Sequence, residues 1–207
     1  MTESNAASQA EETATTEAGP TPSISSQLAM VSLLSPRAAA EQAGIDPDGA
    51  VGGLYFTDAN GENTVVLRET QIVIDSATES GSVLADHVVR DGAELRVLRE
   101  VRDGVQDCPW DLKAEFVPSS LAVSDYDLDG IGEVLFVYRL ACRSDVSPAE
   151  QKLLLLENGD KYILRGSTST PYELYEDPLP EPTAEQWPLN AYESALDRFR
   201  ELAPEFS

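Results

Sequence analysis

The sequence predicts an α+β fold that is rich in antiparallel β-structure, with a short N-terminal helix and a C-terminal helix. Short segments of β-branched and aromatic residues alternate with turns that contain Gly, Asn or Asp through most of the chain. Helical patterns occur only at the two ends of this run of strands. Consecutive strands with helices at their ends are typical of a mainly antiparallel sheet of hairpins.

The distribution of apolar residues predicts one folded domain behind a polar tail. Apolar residues concentrate between about Leu54 and Leu164 and return near Ala191–Leu202. Residues 1–26 are acidic, low in complexity and without a basic residue, so they cannot bury enough apolar surface to fold. We therefore expect a disordered acidic leader over 1–26 and a single β-rich domain over 27–207.

The first predicted element is a short helix between Ser35 and Gly44. A Ser cap, a Pro at the first helical position and a Gly stop mark its ends. Turn residues such as Asp58-Ala59-Asn60-Gly61 then separate a series of strands. The strands predicted in this half of the chain are Leu54–Thr57, Thr64–Arg68, Gln71–Asp75, Val83–Arg90 and Glu94–Val101.

The second half of the chain predicts further strands and the C-terminal helix. The strands are Lys113–Val117, Leu121–Ser124, Val134–Leu140, Lys152–Glu157 and Lys161–Arg165. Val134–Leu140 is almost continuously apolar, which predicts a central strand. The Asn158-Gly159 turn predicts a hairpin. Residues 171–188 are rich in Pro and acidic residues and should be extended, whereas 190–203 carries an apolar helical stripe that should dock on the sheet.

The charge of the chain excludes several classes of partner. The 37 acidic and 14 basic residues give a formal net charge of −23. A field of this sign repels nucleic acid and anionic membrane surfaces, whereas it suits divalent cations. No apolar run approaches the ~20 residues that span a bilayer, so no transmembrane segment is predicted. We expect a monomer.

The two cysteines, Cys108 and Cys142, bear on the compartment. A disulfide between them would close a loop of about 35 residues and contribute roughly 3–4 kcal/mol to stability. Such a bond persists only in an oxidising compartment. The alternative is two unrelated buried thiols. We favour the disulfide, and the leader is then expected to be the tether that follows a cleaved export or lipoprotein signal.

An acidic turn over residues 125–133 is the clearest candidate site. Carboxylates at alternate positions converge on one point if the chain curls around it, and Gly130 allows that curl. Carboxylate and carbonyl oxygens are the ligands of hard cations, so the turn predicts a Ca²⁺ site. The predicted ligands are Asp125, Asp127, Asp129, the Ile131 carbonyl and Glu133. The alternative is an Asp-rich turn that binds no ion.

The spacing of this turn does not fit an EF-hand. An EF-hand loop needs a carboxylate at its twelfth position, which is Phe136 here, and the flanking segments are predicted strands. The pattern Asp-x-Asp-x-Asp-Gly-x-x-Glu instead resembles the calcium loops of integrin-type FG-GAP and VCBS repeats over about 12 residues. This resemblance implies a cation site in which the ninth position supplies the last carboxylate.

A longer resemblance covers about 60 residues, from 107 to 166. Asp107-Cys108-Pro109-Trp110-Asp111, the acidic turn, Cys142-Arg143-Ser144-Asp145-Val146-Ser147-Pro148 and Lys161-Tyr162-Ile163-Leu164-Arg165-Gly166 occur in this order. This run resembles a family of exported bacterial envelope proteins loosely named for surface polysaccharide biosynthesis. The resemblance implies a Cys108–Cys142 pair and a periplasmic, outer-membrane-tethered or extracellular location.

The segment after the central strand offers a second candidate surface. Arg139, Arg143, Asp145 and Ser147 supply charged and polar groups for a ligand. The alternative is an internal network of ion pairs and turn hydrogen bonds, which are common at protein surfaces.

Three functions remain compatible with the sequence. The first is a non-catalytic exported envelope domain with a structural Ca²⁺ loop, whose partner is an envelope protein or a glycan. The second is a carbohydrate-active hydrolase that uses a carboxylate pair. The third is a cytosolic acidic interaction protein with reduced cysteines. His87 is the only histidine and lies in an apolar segment, which argues against a His-dependent nucleophile or a zinc hydrolase.

Overall fold

The structure is a computed structural model that describes residues 28–74, 78–173 and 177–205. The predicted acidic leader, residues 1–26, lies outside the described residues. Within the described ranges the chain forms two antiparallel sheets of consecutive strands, a short helix near the N-terminus and a C-terminal helix. The predicted β-rich α+β class is therefore confirmed.

Five strands form the first sheet in sequential order: β1 (Ala29–Leu34), β2 (Ala50–Asp58), β3 (Gly61–Val73), β4 (Glu79–Asp91) and β5 (Glu94–Cys108). β3 covers Thr64–Arg68 and Gln71–Val73, which were predicted as parts of two separate strands, because its residues pair without interruption with β4. Asp75, the last residue of the second predicted strand, lies outside the described residues. β1 was not predicted from the sequence. Most of its side chains are exposed, and its backbone is extended because it pairs with β2.

The second sheet contains β6 (Asp111–Phe116), β7 (Ala122–Ser124), β8 (Glu133–Arg143), β9 (Glu150–Glu157), β10 (Asp160–Ser167) and β11 (Leu179–Glu181). Their order is β11-β10-β9-β8-β6, and β7 also pairs with β8. β8 has strand neighbours on both sides, as expected for the predicted central strand, although β9 holds the middle position. β11 lies in segment 171–188, which was predicted to be extended, but Ala184–Gln186 of this segment form a 3₁₀ helix and residues 174–176 lie outside the described residues.

The two sheets pack face to face, and a helix covers the outer face of each. Phe116 and Phe136 meet edge to face in the core between the sheets, with ring centroids 5.8 Å apart. α1 (Pro36–Ala43) covers the first sheet, and α2 (Ala191–Glu201) covers the second. β8 is apolar on both faces because Val134 faces the other sheet while Leu135 faces the layer of α2.

α1 begins and ends where the sequence predicts. The Ser35 hydroxyl accepts a hydrogen bond from the Ala38 amide, and Gly44 ends the helix with φ of 69°. The helix lies directly on β2, since a Cβ at Gly53 would stand 2.1 Å from the Cβ of Ala39. Glycine at position 53 is therefore what permits this close approach.

A disulfide joins the two sheets. Cys108 ends β5 and Cys142 lies near the end of β8, with their Cα atoms 5.6 Å apart. This confirms the predicted pairing over the alternative of two free thiols. Because the bond closes a loop with a sequence separation of 34 residues, it restricts the unfolded chain and stabilises the fold.

None of the helices in the described ranges is long and apolar enough to cross a membrane.

Candidate metal centre

The acidic turn is the loop that joins β7 to β8. Ser124 and Glu133 pair directly across the two strands, so residues 125–132 form the connection. Leu128 and Gly130 have positive φ values of 64° and 89°, which turn the chain back on itself. Glycine adopts such values without a Cβ penalty, as the sequence analysis expected for Gly130.

Carboxylates within the loop hold its backbone in place. The Asp127 carboxylate accepts a hydrogen bond from the Asp129 amide at 3.2 Å, and the Asp129 carboxylate accepts one from the Ile131 amide at 2.7 Å. These Asx-type turns use one oxygen of each carboxylate and leave the other for a ligand. The Ile131 carbonyl as a ligand stays a prediction.

Two groups of carboxylates converge at this loop. Asp125, Asp127 and Asp129 form the first group, and Asp127, Glu133 and Glu157 form the second. In each group the contributing oxygens lie within 4.8 Å of one another. Two oxygens bound to one Ca²⁺ at about 2.4 Å are at most about 4.8 Å apart, so each group has the spacing of a ligand set. Asp127 belongs to both groups, which makes it the centre of the cluster.

Glu133 is the most deeply buried member of the cluster, since the residue is 0% exposed to solvent. Its Oε2 accepts a hydrogen bond from the Tyr126 amide at 2.9 Å, whereas Oε1 has no hydrogen-bond partner among the described residues. Burial, together with the negative charges of Asp127 and Glu157, raises the pKa of Glu133 to about 7. A buried carboxylate oxygen without a protein partner is rare in folded proteins, so Oε1 of Glu133 is a candidate ligand for a cation or a water molecule.

Glu157 was missed by the sequence analysis. It ends β9, which pairs antiparallel with β8 so that Leu156 faces Val134 and Glu157 falls beside Glu133. Burial, then the charges of Asp127, Asp129 and Asp160, raise the pKa of Glu157 to about 7. A hairpin at Asn158-Gly159 was predicted, but the register between β8 and β9 was not, so no sequence signal placed Glu157 at the site.

The β2–β3 turn of the other sheet holds the loop from the opposite side. The Asp58 carboxylate accepts a hydrogen bond from the Gly132 amide at 3.0 Å, and the Gly130 carbonyl accepts one from the Ala59 amide at 3.0 Å. Asn60 in the same turn donates to the Asn158 side chain at 3.2 Å. The cluster therefore lies where turns from both sheets meet.

A buried polar chain extends from this turn to His87. The Asn63 side chain donates to Asp58 at 2.8 Å, and its oxygen lies 2.9 Å from Nε2 of His87, which must therefore carry the proton. His87 is 1% exposed, and burial lowers its pKa to about 4, against the smaller opposing effect of Asp58. The histidine is thus a packed, neutral support for the Asp58 turn.

The residues of the second candidate surface bind other parts of the protein. Arg139 donates to Gln151 at 3.1 Å and to the Leu202 carbonyl at 2.6 Å. Arg143 donates to the Ser147 carbonyl and forms an ion pair with Glu205. These contacts correspond to the alternative of an internal network, because they fasten the C-terminal segment to β8.

Asp145 and Ser147 form a local turn in the same segment. The Asp145 carboxylate accepts a hydrogen bond from the Ser147 amide at 3.0 Å. The side-chain and backbone hydrogen bonds from Ser147 lower the pKa of Asp145. The contact orders the chain between β8 and β9.

Comparison with family models, with curated proteins and with solved structures gave no match.

Proposed function

We propose that this protein is a non-catalytic domain in which the β7–β8 loop and Glu157 bind a structural Ca²⁺. The environment of the Glu133 carboxylate is the observation that supports this proposal most directly. Its buried Oε1 has no hydrogen-bond partner among the described residues and lies in a group of three carboxylates at ligand spacing. A bound cation would supply the missing partner and offset the repulsion between Glu133, Asp127 and Glu157.

The chemistry of the donors favours Ca²⁺ over other metals. The cluster offers five carboxylates and neither histidine nor cysteine. Zn²⁺ prefers nitrogen and sulfur ligands, and Mg²⁺ is usually held by one or two carboxylates while it keeps several waters. Ca²⁺ accepts six to eight oxygens, so either group of three carboxylates would supply part of its shell, and a backbone carbonyl and water would supply the rest.

The position of the cluster implies a structural role for the ion. A cation at Asp127 would connect the β7–β8 loop with the end of β9 through Glu157. The loop is in turn fastened to the first sheet through the hydrogen bond between Gly132 and Asp58. An ion that binds only the folded chain raises the free energy of unfolding in proportion to the logarithm of its concentration above Kd.

Thermal unfolding with Ca²⁺ and with chelator tests this proposal. We expect Ca²⁺ to raise the Tm of the wild type, and we expect Asp127→Asn to remove most of that rise. Asp48→Asn is the matched control, because Asp48 precedes β2 at the end opposite Asp58. This control should keep the full effect of Ca²⁺, and Mg²⁺ should stabilise the wild type less than Ca²⁺ does.

Two results would overturn the Ca²⁺ site. One is a wild-type Tm that does not respond to Ca²⁺. The other is an equal loss of the response in Asp127→Asn and Asp48→Asn, because the effect would then reflect general screening of the acidic surface.

We further propose that the domain is exported to the bacterial cell envelope, in association with surface polysaccharide. The Cys108–Cys142 disulfide supports an oxidising compartment, and the resemblance of residues 107–166 supports the envelope. Mass spectrometry of unreduced protein from fractionated native cells tests this location. We expect the oxidised form in the envelope or periplasmic fraction, and reduced protein confined to the cytoplasm would refute export.

A further inference from the structure

A small apolar groove opens at the free edge of the first sheet, between strands β1–β3 and the chain that leads from β6 to β7. The apolar side chains of this edge groove are those of Leu33, Val51, Leu67, Phe116, Pro118 and Leu121. Leu67 and Phe116 are buried, whereas Leu33 is 74% exposed. The edge groove encloses about 180 Å³. A cavity of roughly 150 Å³ is enough to hold a benzene ring, so the groove has room for one small apolar group.

Gly52 on β2 leaves this space open. It pairs directly with Leu67 on β3, and Leu67 belongs to the core between the sheets, so position 52 faces the second sheet. The backbone of Gly52 lies outside the left-handed region, and a Cβ there would stand 3.7 Å from the nearest atom of Leu67, which is an ordinary contact distance. A side chain at position 52 would therefore suit the backbone and occupy the edge groove.

Glu69 is the one charged residue among the described residues that line the edge groove. It follows Leu67 by two positions on β3, so its side chain points to the same face of the sheet. Its Oε1 accepts a hydrogen bond from the Phe116 amide at 2.7 Å, which fixes the carboxylate between the two sheets. No other described group donates to this carboxylate, so Oε2 is available to a ligand.

No cation of the described chain compensates the charge of Glu69. It takes part in none of the ion pairs between described residues. Burial raises the pKa of Glu69, the hydrogen bond from the Phe116 amide opposes this effect, and the negative charge of Glu115 adds to it. A half-buried charge is screened less by water and salt than an exposed one. The edge groove is therefore complementary to a ligand that carries a cation.

The segment that precedes β1 does not offer this cation. Residues 1–27 contain neither Lys nor Arg, and Arg37 is the first basic residue of the chain. Arg37 itself pairs with Glu41 on α1, which covers the opposite face of the first sheet. The complementary group must therefore come from a separate molecule.

We propose that the edge groove binds a small amphipathic amine, with its apolar part against Leu67 and Phe116 and its ammonium at Oε2 of Glu69. Small-molecule sites are mostly apolar and use a few placed polar groups to orient the ligand, as Glu69 does here. An ammonium is a compact charge with three donors, which suits a single available carboxylate oxygen. The negative charge of the protein also draws cations to its surface and repels anions.

NMR titration of the ¹⁵N-labelled full chain with n-butylammonium chloride tests this site. We expect saturable shifts of the Leu67 and Phe116 amides, with a Kd on the order of 1 mM for so small a ligand. n-Butanol should bind about tenfold more weakly, because it lacks the charge. Ammonium chloride and sodium butyrate at the same ionic strength should give no saturable shift at these amides. Absence of the n-butylammonium shifts, or equal affinity for n-butanol, would refute the proposal.

Three variants assign the binding to the edge groove. Glu69→Gln keeps an acceptor for the Phe116 amide and should weaken n-butylammonium binding about tenfold while n-butanol binds as before. Gly52→Leu should abolish the binding of both, because its side chain fills the groove.

Glu94→Gln is the matched control, since Glu94 is exposed and outside the groove lining, and it should bind as the wild type does. Equal weakening in Glu69→Gln and Glu94→Gln would overturn the site, as would wild-type affinity in folded Gly52→Leu. Glu69 lies outside both carboxylate groups, so these results are independent of the Ca²⁺ proposal.

Discussion

Glu133 and Cys142 lie nine positions apart on β8, so the carboxylate cluster and the disulfide lie at opposite ends of the sandwich. At about 3.4 Å per residue this places them roughly 30 Å apart along the strand. The disulfide joins the two sheets at one end, and a cation bound at the carboxylate cluster would be a second cross-link at the other end.

This separation predicts that the two cross-links stabilise the protein independently. Removal of the disulfide in Cys108→Ala/Cys142→Ala should lower the free energy of unfolding by roughly 3–4 kcal/mol. Chelation of Ca²⁺ should cause a separate decrease in the free energy of unfolding. The sum of the two decreases should agree within about 0.5 kcal/mol with the decrease measured for the cysteine double variant in chelator. Urea unfolding of both proteins with Ca²⁺ and with chelator measures the four values. A coupling well above that limit would contradict independence.

Glu157→Gln should change stability in opposite directions with and without Ca²⁺. In chelator the substitution removes a charge that Asp127 and Asp129 repel, so the free energy of unfolding should rise by about 1 kcal/mol. In Ca²⁺ it removes a ligand, so stability should fall below that of the wild type. Urea unfolding under both conditions measures this reversal.

Glu94→Gln is the control for this substitution, because Glu94 is exposed at the start of β5 and outside both carboxylate groups. It should change stability by less than about 0.5 kcal/mol under either condition. If Glu157→Gln lowers stability equally in Ca²⁺ and in chelator, Glu157 is not a ligand.

His87 should make stability depend on pH between about 4 and 6.5. Its folded pKa of about 4 lies below the unfolded value of 6.5, so the unfolded chain binds more protons in this window. The contribution of neutral His87 to the free energy of unfolding is therefore complete above pH 6.5 and is lost as the pH falls toward 4. This loss is about 3 kcal/mol at most. Urea unfolding in chelator across this range should show a smaller slope for His87→Gln than for the wild type. Identical slopes would indicate that His87 is protonated in the folded protein.

Glu205 should be the main anchor of the C-terminal segment. Its side chain is 2% exposed and binds Lys113 at 2.9 Å, Thr168 at 2.7 Å and Arg143. Burial acts against ionisation, but these partners outweigh it and lower the pKa of Glu205 to about 2. The contribution of ionised Glu205 to the free energy of unfolding is present above pH 4.5, the pKa of this group in the unfolded chain. It is lost as the pH falls through the folded pKa of about 2.

Glu205→Gln should therefore lower the free energy of unfolding at neutral pH by roughly 1–3 kcal/mol. It weakens three contacts and removes the ion-pair partner of Arg143, whereas Lys113 keeps Glu115 at 3.1 Å. Glu201→Gln is the matched control, since Glu201 is 66% exposed and pairs only with Arg198 among the described ion pairs. The decrease in the free energy of unfolding caused by Glu201→Gln should stay below about 1 kcal/mol. Equal losses in the two variants would contradict the anchoring role.

Elements defined by neighbouring residues were predictable from the sequence. The Ser35 cap and Gly44 stop define α1, and the Asn158-Gly159 turn defines the β9–β10 hairpin. β1 and β11 were missed because their residues carry no strand pattern and are extended only through pairing with β2 and β10. Pairing between strands depends on distant residues, which a local pattern does not contain.

The candidate site divides in the same way. Asp125, Asp127 and Asp129 follow one another within a single loop, so the sequence by itself determined their convergence once Gly130 allowed the turn. The unpartnered oxygen of Glu133 and its neighbour Glu157 depend on the register of β8 with β9. Only the tertiary structure decided these features, because register and burial are set by how the two sheets pack rather than by the spacing of residues along the chain.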